Sequence, residues 1–378
     1  MRLSDEQAFV QQEVRRFAEE EIEPVAVEYE RNGTYPIDII ERSAELDLLA
    51  PGFDEDHGGA GMDLVTELLI NEELHRADPG IAESVTAATF GCESIIEHGT
   101  AEQIETYVRP ATRGEKVSGV AMTEPKAGSD FANIQATAEK DGDEYVLNGN
   151  KVFISNGSVA DFLVVYARTG SPEQAHKGIS TFIVETDAAG FEATPMDGHL
   201  GPATTDIAQV FLNDVRVDEE NRLGAEGQGF YQVMEFLDES RLGVAVASVG
   251  AARGALDLLI DYVSERQVFG GSVSEKQAVR HRVANLRARV AAARSLVYET
   301  AYECQQADDF DTERAAMAKL VATTLLEDVS SEAVQLHGGY GCFDEYRVET
   351  YFRFSKIPQI YEGTNAVMRE VIGDATFE

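Results

Sequence analysis

The sequence predicts an α+β protein of three domains: an N-terminal all-helical domain, a central β-barrel-like domain and a C-terminal four-helix bundle. Apolar residues recur at helical spacing through about the first 116 of the 378 residues. Short β-branched and aromatic runs separated by turn residues follow, and helical spacing then resumes. The expected domains are therefore residues 1–116, 117–225 and 226–378, each of ordinary domain size.

The N-terminal domain is expected to be helical from residue 4 onwards. Val10, Val14 and Phe17 recur at i, i+4 and i+7 with charged residues between them, which is typical of a helix with one buried face. Further helices are predicted over 67–77 and 101–112. The glycine-rich stretch 58–61 interrupts this pattern and predicts a loop.

The central domain is predicted to be all β. Its strands are expected at the β-branched and aromatic runs 117–122, 144–148, 152–155, 162–167, 180–185 and 207–212. Turns between or beside these strands are favoured by the dipeptides Gly142-Asp143, Asn148-Gly149 and Asn156-Gly157.

The C-terminal domain is predicted to be a helical bundle, because long helical patterns are joined by short connections. Three buried helix faces are expected, made of Phe230, Val233, Met234 and Leu237, of Val283, Leu286, Val290 and Ala293, and of Met317, Leu320, Val321 and Leu325.

The net charge of −37 argues against nucleic acid and anionic membranes as binding partners. Such a field repels nucleic acid and anionic membrane surfaces. The sequence has no run of 18 apolar residues and no N-terminal apolar signal segment, so we expect a cytoplasmic protein without membrane insertion. The acidic residues are spread along the whole chain, which we interpret as halophilic adaptation, because high salt screens their repulsion. The three cysteines show no metal-ligand spacing, and no metal site is expected.

Five short segments carry residues suited to chemistry. Residues 121–130 end a strand in a loop of small residues, hydroxyls and free N–H groups, which can approach a planar or anionic ligand. Residues 148–157 offer Phe153 for stacking on an aromatic ring system and Ser155 for a hydrogen bond to it. Taken alone, the first segment is equally an ordinary turn, and the second is more simply an ordinary β-hairpin.

The next two segments combine a charge or a flexible backbone with aromatic residues. Arg266 precedes a loop with Phe269 and Gly270 and can present its guanidinium to a phosphate, although an arginine at a helix end is usually a solvated charge. Residues 335–341 contain three glycines, which can stop a helix or let a nucleotide lie against the backbone.

The fifth segment, residues 356–365, places Glu362 between Tyr361 and Gly363 in a largely uncharged stretch. Burial of that carboxyl would raise its pKa and make it a competent base. An isolated glutamate near a helix end lies more commonly at the surface, so this segment alone does not decide between the two.

Together and in this order, the segments resemble the acyl-CoA dehydrogenase family along the whole chain. The strings Thr-Glu-Pro-x-Ala-Gly-Ser-Asp, Arg-x-x-Phe-Gly, Gln-x-x-Gly-Gly-x-Gly and Tyr-Glu-Gly-Thr stand at 123–130, 266–270, 335–341 and 361–364. The resemblance implies FAD between the β domain and the bundle, an acyl-CoA substrate and an electron-transfer flavoprotein as acceptor. It also implies a homotetramer, built as a dimer of dimers.

The resemblance implies cofactor and substrate contacts residue by residue. The FAD of the same subunit is expected to meet Met122, Thr123, Gly128, Ser129, Phe153, Ser155, Tyr361 and Thr364. The FAD of a neighbouring subunit is expected to meet Arg266, Phe269, Gln277, Gln335 and Gly339. Substrate contacts are expected at Ser129, Asp238, Arg241, Tyr361 and Gly363.

Glu362 matches the family's catalytic base, which removes the α-proton of the substrate while the β-hydride leaves, giving a trans-2-enoyl-CoA. In some branches the base lies on an earlier helix, at the position of Ser240 here. Serine cannot replace a carboxylate, and the adjacent Glu239 is expected to point elsewhere because neighbours on a helix face about 100° apart. The base is therefore expected to be Glu362.

The chain departs from the family pattern at one notable place, and two rival functions stay open. Arg353-Phe354-Ser355-Lys356 replaces the usual Arg-Asp-Ala-Lys, which puts a local ion pair in doubt. One rival is an acyl-CoA oxidase that uses oxygen, although the chain is short for the large oxidases. The other is a non-catalytic, DNA-associated relative on the same fold, although the chain has no basic patch. The length of the acyl chain is not determined by the sequence.

Overall fold

The computed structural model describes residues 3–307 and 310–377. The N-terminal domain contains helices α1 (Asp5–Phe17), α2 (Ala26–Asn32), α3 (Ile37–Glu45), α4 (Leu64–Ala77), α5 (Pro79–Ala87), α6 (Cys92–His98), α7 (Ala101–Gln103) and α8 (Arg109–Thr112). Helix α1 begins at a capping box, in which the Ser4 side chain accepts from the backbone N–H of Gln7. The Asp78 side chain caps α5 by accepting from the backbone N–H groups of Gly80 and Ile81, with proline at the first helical position.

The central domain is one eight-stranded sheet in the order β6-β7-β3-β2-β4-β5-β8, with β1 pairing in parallel beside β4. Its strands are β1 (Ser118–Ala121), β2 (Thr137–Asp141), β3 (Glu144–Ser155), β4 (Phe162–Arg168), β5 (Ile179–Glu185), β6 (Phe191–Pro195), β7 (Ile207–Asp218) and β8 (Arg222–Leu223). Strand β4 is buried along its whole length, which explains why its sequence is apolar up to Arg168 at its end.

The turn predicted at Asn148-Gly149 is wrong, because β3 runs through it as a single strand of 12 residues. The register with β7 shifts between Leu147 and Gly149, which marks a β-bulge. A side chain on Gly149 would collide with Ala136, whose Cα would lie 2.8 Å from the added Cβ. Glycine is therefore present to allow close packing of the backbone, and not to reverse the chain.

The C-terminal domain is built from long helices. Its elements are α9 (Gly229–Glu265), β9 (Gln267–Val268), β10 (Gly271–Ser272), α10 (Gln277–Ala307), α11 (Thr312–His337), α12 (Val348–Phe354) and α13 (Asn365–Phe377). Helix α9 is long and apolar enough to cross a membrane, but 72% of its apolar window is buried inside the protein. It is the central core helix, packed on α4, α10 and α11.

The predicted buried face of α11 is wrong in its orientation. Val321 is exposed, and Met317 and Leu320 are only half-buried. The buried positions are mostly small residues, with one lysine, two leucines, one valine and one histidine among them: Ala315, Ala316, Ala318, Lys319, Ala322, Thr323, Leu325, Leu326, Val329, Ser330, Ala333 and His337. Alanines let α11 approach α9 closely, and their small side chains contribute little to an apolar pattern read from the sequence.

A buried carboxylate joins the N-terminal and C-terminal domains. Glu72 on α4 is fully buried and accepts hydrogen bonds from Arg253 on α9 and from Arg294 and Tyr298 on α10. A second carboxylate, Glu73, also accepts from Arg253 at 2.9 Å. Buried charges are tolerated when every partner is present, so this network requires α4, α9 and α10 to pack in one arrangement.

Replacement of Glu72 by alanine should destabilise the protein strongly, because it leaves Arg294 without its buried partner and Arg253 with Glu73 alone. The expected loss is about 3–5 kcal/mol in the free energy of unfolding. The matched control is Arg289→Ala, which removes a half-exposed ion pair with Asp328 and should cost about 0–1 kcal/mol. Urea unfolding followed by circular dichroism measures both, and equal losses would contradict the role of the network.

Candidate active site

The loop between α12 and α13 holds Glu362 in an unusual backbone conformation. Glu362 has φ 50° and Gly363 has φ 84°, so two consecutive residues are left-handed. The left-handed region suits glycine but costs a residue with a side chain about 1 kcal/mol or more. Lys319 of α11 holds this loop, because its buried ammonium donates to the carbonyl oxygen of Tyr361 at 2.7 Å and to that of Gly363.

The carboxyl of Glu362 is half-buried and lies against α9. The Ser240 hydroxyl donates to Oε2 of Glu362 at 2.8 Å. Burial raises the pKa of Glu362, while the Ser240 hydrogen bond and the charges of Lys319 and Arg241 partly offset that rise. The result is a carboxyl that accepts a proton more readily than a solvated glutamate does.

The three residues around Ser240 on α9 point to different neighbours. Arg241 is buried and donates to Oδ1 of Asp238 at 2.5 Å, so these two expected substrate residues are paired with each other. The Nε of Arg241 is buried without a partner among the described residues. Glu239 interacts electrostatically with Glu67 and Glu93, whereas Glu362 contacts Ser240.

A buried ion pair between Lys151 and Glu124 anchors the loop that follows β1. Lys151 of β3 is fully buried and donates to Oε1 of Glu124 at 2.9 Å and to the carbonyl oxygen of Met122 at 3.1 Å. The Glu124 carboxylate also accepts from the backbone N–H groups of Gln135 and Ala136. This pair fixes Met122 and Thr123, both half-buried, while the expected ligands Gly128 and Ser129 further along the loop are exposed.

A second bulge in β3 presents Phe153 to solvent. The register with β7 shifts between Lys151 and Ile154, and Phe153 is left-handed with φ 61°. Its side chain is 64% exposed, while Ser155 beside it is half-buried. A strained, exposed aromatic side chain on a rigid strand is suited to contact a planar ligand.

The two residues that flank the base have partners of their own. The Tyr361 hydroxyl lies 3.4 Å from Oε2 of Glu83, and burial raises its pKa well above the usual value. The Thr364 hydroxyl accepts from the N–H of Val367 and starts α13. Phe354, which replaces the acid of the family string, is buried 6.1 Å from the His75 ring, and Arg353 instead pairs with Glu30 and Glu349.

The residues expected to meet a neighbouring subunit form a separate group. Arg266 and Gly339 line a pocket of about 440 Å³ that contains none of the residues expected to meet the FAD of the same subunit. Gln277 begins α10 and Gln335 lies in the last turn of α11, and both are exposed. His337 stacks on Tyr262 with ring centroids 4.1 Å apart, which gives this histidine a structural role in the pocket wall.

Phe269 stands at the tip of the short β9–β10 hairpin. Phe269 and Gly270 have φ 47° and φ 83°, the conformation of a two-residue turn that normally favours asparagine and glycine. The Phe269 side chain is fully exposed. An apolar ring held out in a strained turn is available for contact with another molecule.

Three family models cover nearly the whole chain. The N-terminal, middle and C-terminal domains of acyl-CoA dehydrogenase match residues 4–115, 119–215 and 227–377. The chain belongs to the acyl-CoA dehydrogenase family. Its fold class is thereby confirmed, with helical, β and helical domains in that order.

Relatives of the same length support this assignment. The short-chain-specific acyl-CoA dehydrogenase of Clostridium acetobutylicum is 38% identical over 99% of both chains. A subunit of the caffeyl-CoA reductase–Etf complex of Acetobacterium woodii is 36% identical over 98% of both. The butyryl-CoA dehydrogenase structure from Megasphaera elsdenii superposes with a TM-score of 0.95, at 35% identity and complete coverage of both chains.

Members of the acyl-CoA dehydrogenase family are FAD-dependent oxidoreductases, and the residues of this chain fit that cofactor. An added Cβ at Gly128, Gly338 or Gly339 would meet no atom within 4 Å, so the backbone is open to a ligand at both candidate sites. The exposed ring of Phe153 can lie against a flavin, and Arg266 carries a charge suited to a phosphate. In residues 3–307 and 310–377, no group of three or more histidine, cysteine or acidic side chains is placed to hold a metal.

Three carboxyls with raised pKa values, Glu67, Glu93 and Glu239, were not predicted as functional residues from the sequence. Burial, with repulsion from Glu239 and Glu93, raises the pKa of Glu67 to about 8. Burial also raises the pKa of Glu93 to about 7, although the backbone N–H of Gly91 donates to it at 2.9 Å, and burial raises the pKa of Glu239. Their only signal in the sequence is an acidic residue within an otherwise apolar segment, as at Glu67 and Glu93.

The Glu67→Gln variant should become more stable than the wild type as pH rises. A folded-state pKa of about 8 lies above the unfolded value, so protonation of Glu67 favours the fold fully below about pH 4.5. That contribution is lost as pH rises through about 8, and glutamine escapes the loss because it cannot ionise. Melting temperatures from pH 5 to 9, with the exposed Glu102→Gln as control, measure the effect. A Glu67→Gln difference that does not change with pH would refute it.

Proposed function

We propose that this protein oxidises an acyl-CoA thioester to the trans-2-enoyl-CoA with Glu362 as the base. The observation that carries the proposal is the Glu362 loop itself. Its carboxyl has a raised pKa and a fixed position 2.8 Å from Ser240. In the part of the chain that the structure describes, no group accepts a hydrogen bond from the backbone N–H of Glu362. One residue thus offers a base and a free donor.

The backbone N–H and the carboxylate of Glu362 act on neighbouring groups of the substrate, the thioester carbonyl and the α-carbon. The N–H donates to the thioester carbonyl oxygen and stabilises the negative charge that develops there. Bound substrate expels water from the cleft, which raises the pKa of Glu362 further and brings it closer to that of the α-proton. The carboxylate then takes that proton. FAD, when bound, accepts the β-hydride.

The relatives bear on the flavoprotein partner and on the direction of the reaction. We propose an electron-transfer flavoprotein as the acceptor, supported by the similarity to a subunit of the caffeyl-CoA reductase–Etf complex. That relative is named for the reverse reaction, the reduction of an enoyl-CoA. Protonation of the α-carbon by Glu362 would serve this direction, so anaerobic assays with acyl-CoA and with enoyl-CoA are needed to distinguish the two.

We also propose a homotetramer that works in the cytoplasm, and at high salt. The exposed Phe269 hairpin and the pocket around Arg266 support assembly through this face. The net charge of −37 supports high-salt adaptation, because repulsion between subunits is screened there. Light scattering at low and high salt would measure both.

The rival functions and the acyl chain length are tested by one panel of substrates. Anaerobic bleaching of the bound flavin by straight, branched, short and medium acyl-CoAs identifies the preferred chain. Peroxide formation in air without another acceptor would favour the oxidase. Failure of every acyl-CoA to bleach the flavin, with DNA retained at high salt, would favour the non-catalytic relative.

The Glu362→Gln variant should fold and bind FAD and acyl-CoA but lose at least about 10²-fold in turnover, because an amide cannot act as a general base. Stopped-flow reduction of the flavin under anaerobic conditions gives the rate directly. The matched control is Glu370→Gln, an exposed glutamate on α13. Near-wild-type flavin reduction by Glu362→Gln would rule out the assignment.

The Phe269→Asn variant should keep its fold but bind FAD more weakly and form fewer oligomers. Asparagine suits the left-handed turn position, so the monomer should not be destabilised. Loss of the exposed ring should weaken FAD retention about tenfold, a usual effect for an aromatic anchor at an interface. FAD content after gel filtration and the mass from light scattering measure the change. The control is Phe9→Asn on α1, another exposed phenylalanine, and equal behaviour of the two variants would contradict this role.

A further inference from the structure

Lys319 is a buried cation whose hydrogen-bond acceptors both lie in the loop between α12 and α13. This loop, residues 355–364, is called the base loop here. Lys319 is the eighth of the 26 residues of α11 and is fully buried. Its ammonium donates to the carbonyl oxygens of Tyr361 and Gly363, the two residues on either side of Glu362. No carboxylate of the described residues forms an ion pair with Lys319. Burial of this ammonium is costly, and the two carbonyl oxygens, together with the nearby charge of Glu362, offset that cost.

The geometry of the peptide group links this contact to the free N–H of Glu362. The carbonyl of Tyr361 and the N–H of Glu362 belong to the same planar peptide, in which the two bonds point in opposite directions. Because Lys319 binds the carbonyl oxygen, the N–H of Glu362 points away from α11. No described group accepts from that N–H.

The same contact accounts for the left-handed pair at Glu362 and Gly363. With φ 50° and φ 84°, these residues turn the carbonyls of 361 and 363 towards a single point, which the ammonium occupies. One turn later on α11, Thr323 is hydrogen-bonded to the side chain of Asn365 at 3.1 Å. Helix α11 therefore holds the base loop on both sides of Glu362.

We propose that Lys319 is the positioning residue of the reaction: it aims the Glu362 N–H at the thioester carbonyl and holds the Glu362 carboxylate at the α-carbon. The proposal deepens the proposed function and rests on it. Lys319 itself does not touch the substrate. It acts through the Glu362 N–H, which stabilises the negative charge on the thioester carbonyl oxygen. Removal of Lys319 should misplace both the N–H donor and the carboxylate of Glu362 while leaving the binding of the CoA part intact.

Other charges around Glu362 bear on its titration and are unchanged in a Lys319 variant. Arg241 with Asp238 and Ser240 approach from α9, Glu83 from α5 and Glu93 from α6. The Lys319 charge lowers the pKa of Glu362 against the larger effect of burial. Loss of that charge should therefore move the acidic limb of the kcat/KM profile to higher pH.

The test uses FAD-loaded Lys319→Met with Lys356→Met as control, an exposed lysine near the start of the base loop. The substrate is the acyl-CoA that the wild type oxidises fastest. In Lys319→Met, kcat should fall about 10²-fold, the scale of one lost oxyanion donor, while KM changes less than about threefold. The acidic limb should shift upward, and Lys356→Met should match the wild type in both respects.

A binding measurement isolates the N–H from the base. The probes are the 2-enoyl-CoA of the preferred length and the S-alkyl-CoA of the same length, in which CH₂ replaces the carbonyl. The affinity for enoyl-CoA relative to S-alkyl-CoA should fall about fivefold in Lys319→Met, the usual scale of one hydrogen bond. Lys319→Gln, which is neutral and shorter, should change the ratio in the same direction if Lys319→Met does not fold.

Two results would overturn the proposal in distinguishable ways. An active wild type, with an affinity ratio and a kcat that do not change in the folded Lys319 variants, overturns the positioning role alone. The other result is a wild type in which no acyl-CoA reduces the flavin and no enoyl-CoA oxidises the reduced flavin. It overturns the proposed function, and the role of Lys319 with it.

Discussion

The packing of this protein depends on the buried carboxylate of Glu72. It receives hydrogen bonds from three side chains on two helices of another domain. A network of this kind stabilises a structure only when all its members are in place, so it selects one position of α4 against α9 and α10. Helix α4 leads directly into α5 and α6, which carry Glu83 and Glu93, while α9 carries Ser240. The Glu72 network thereby helps to set the distance between α5 and α6 on one side of Glu362 and α9 on the other, although Glu72 does not contact Glu362.

Patterns that repeat along the chain were predictable from the sequence. The spacing of apolar residues, which is a local property, predicted the α, β, α order, helices α1 and α4, the helical stretch 101–112 and most strands. Glu362 was also predicted as the base from the sequence, because four strings in the right order resemble one family. Each of those strings was ambiguous when considered alone.

Features that depend on contacts across the fold were not predictable. Gly149 resembles a turn glycine, and only the approach of Ala136 explains its place inside a strand. The buried face of α11 consists largely of alanines, which a hydrophobicity pattern undervalues. Lys319 gives no signal, since a lysine in a helix is usually exposed. Its partners are more than 40 residues further along the chain, as the 42 positions to Tyr361 show.

The contact between Ser240 and Glu362 has an evolutionary meaning. The two side chains meet at 2.8 Å, so an acidic side chain at position 240 would reach the space that the Glu362 carboxylate fills. Position 362 is left-handed, and glycine is the residue that this backbone accepts most readily. Two substitutions, one at each position, would therefore move the base from one element to another within the same cleft. A lineage can exchange the origin of its proton acceptor in this way without rebuilding the fold around it.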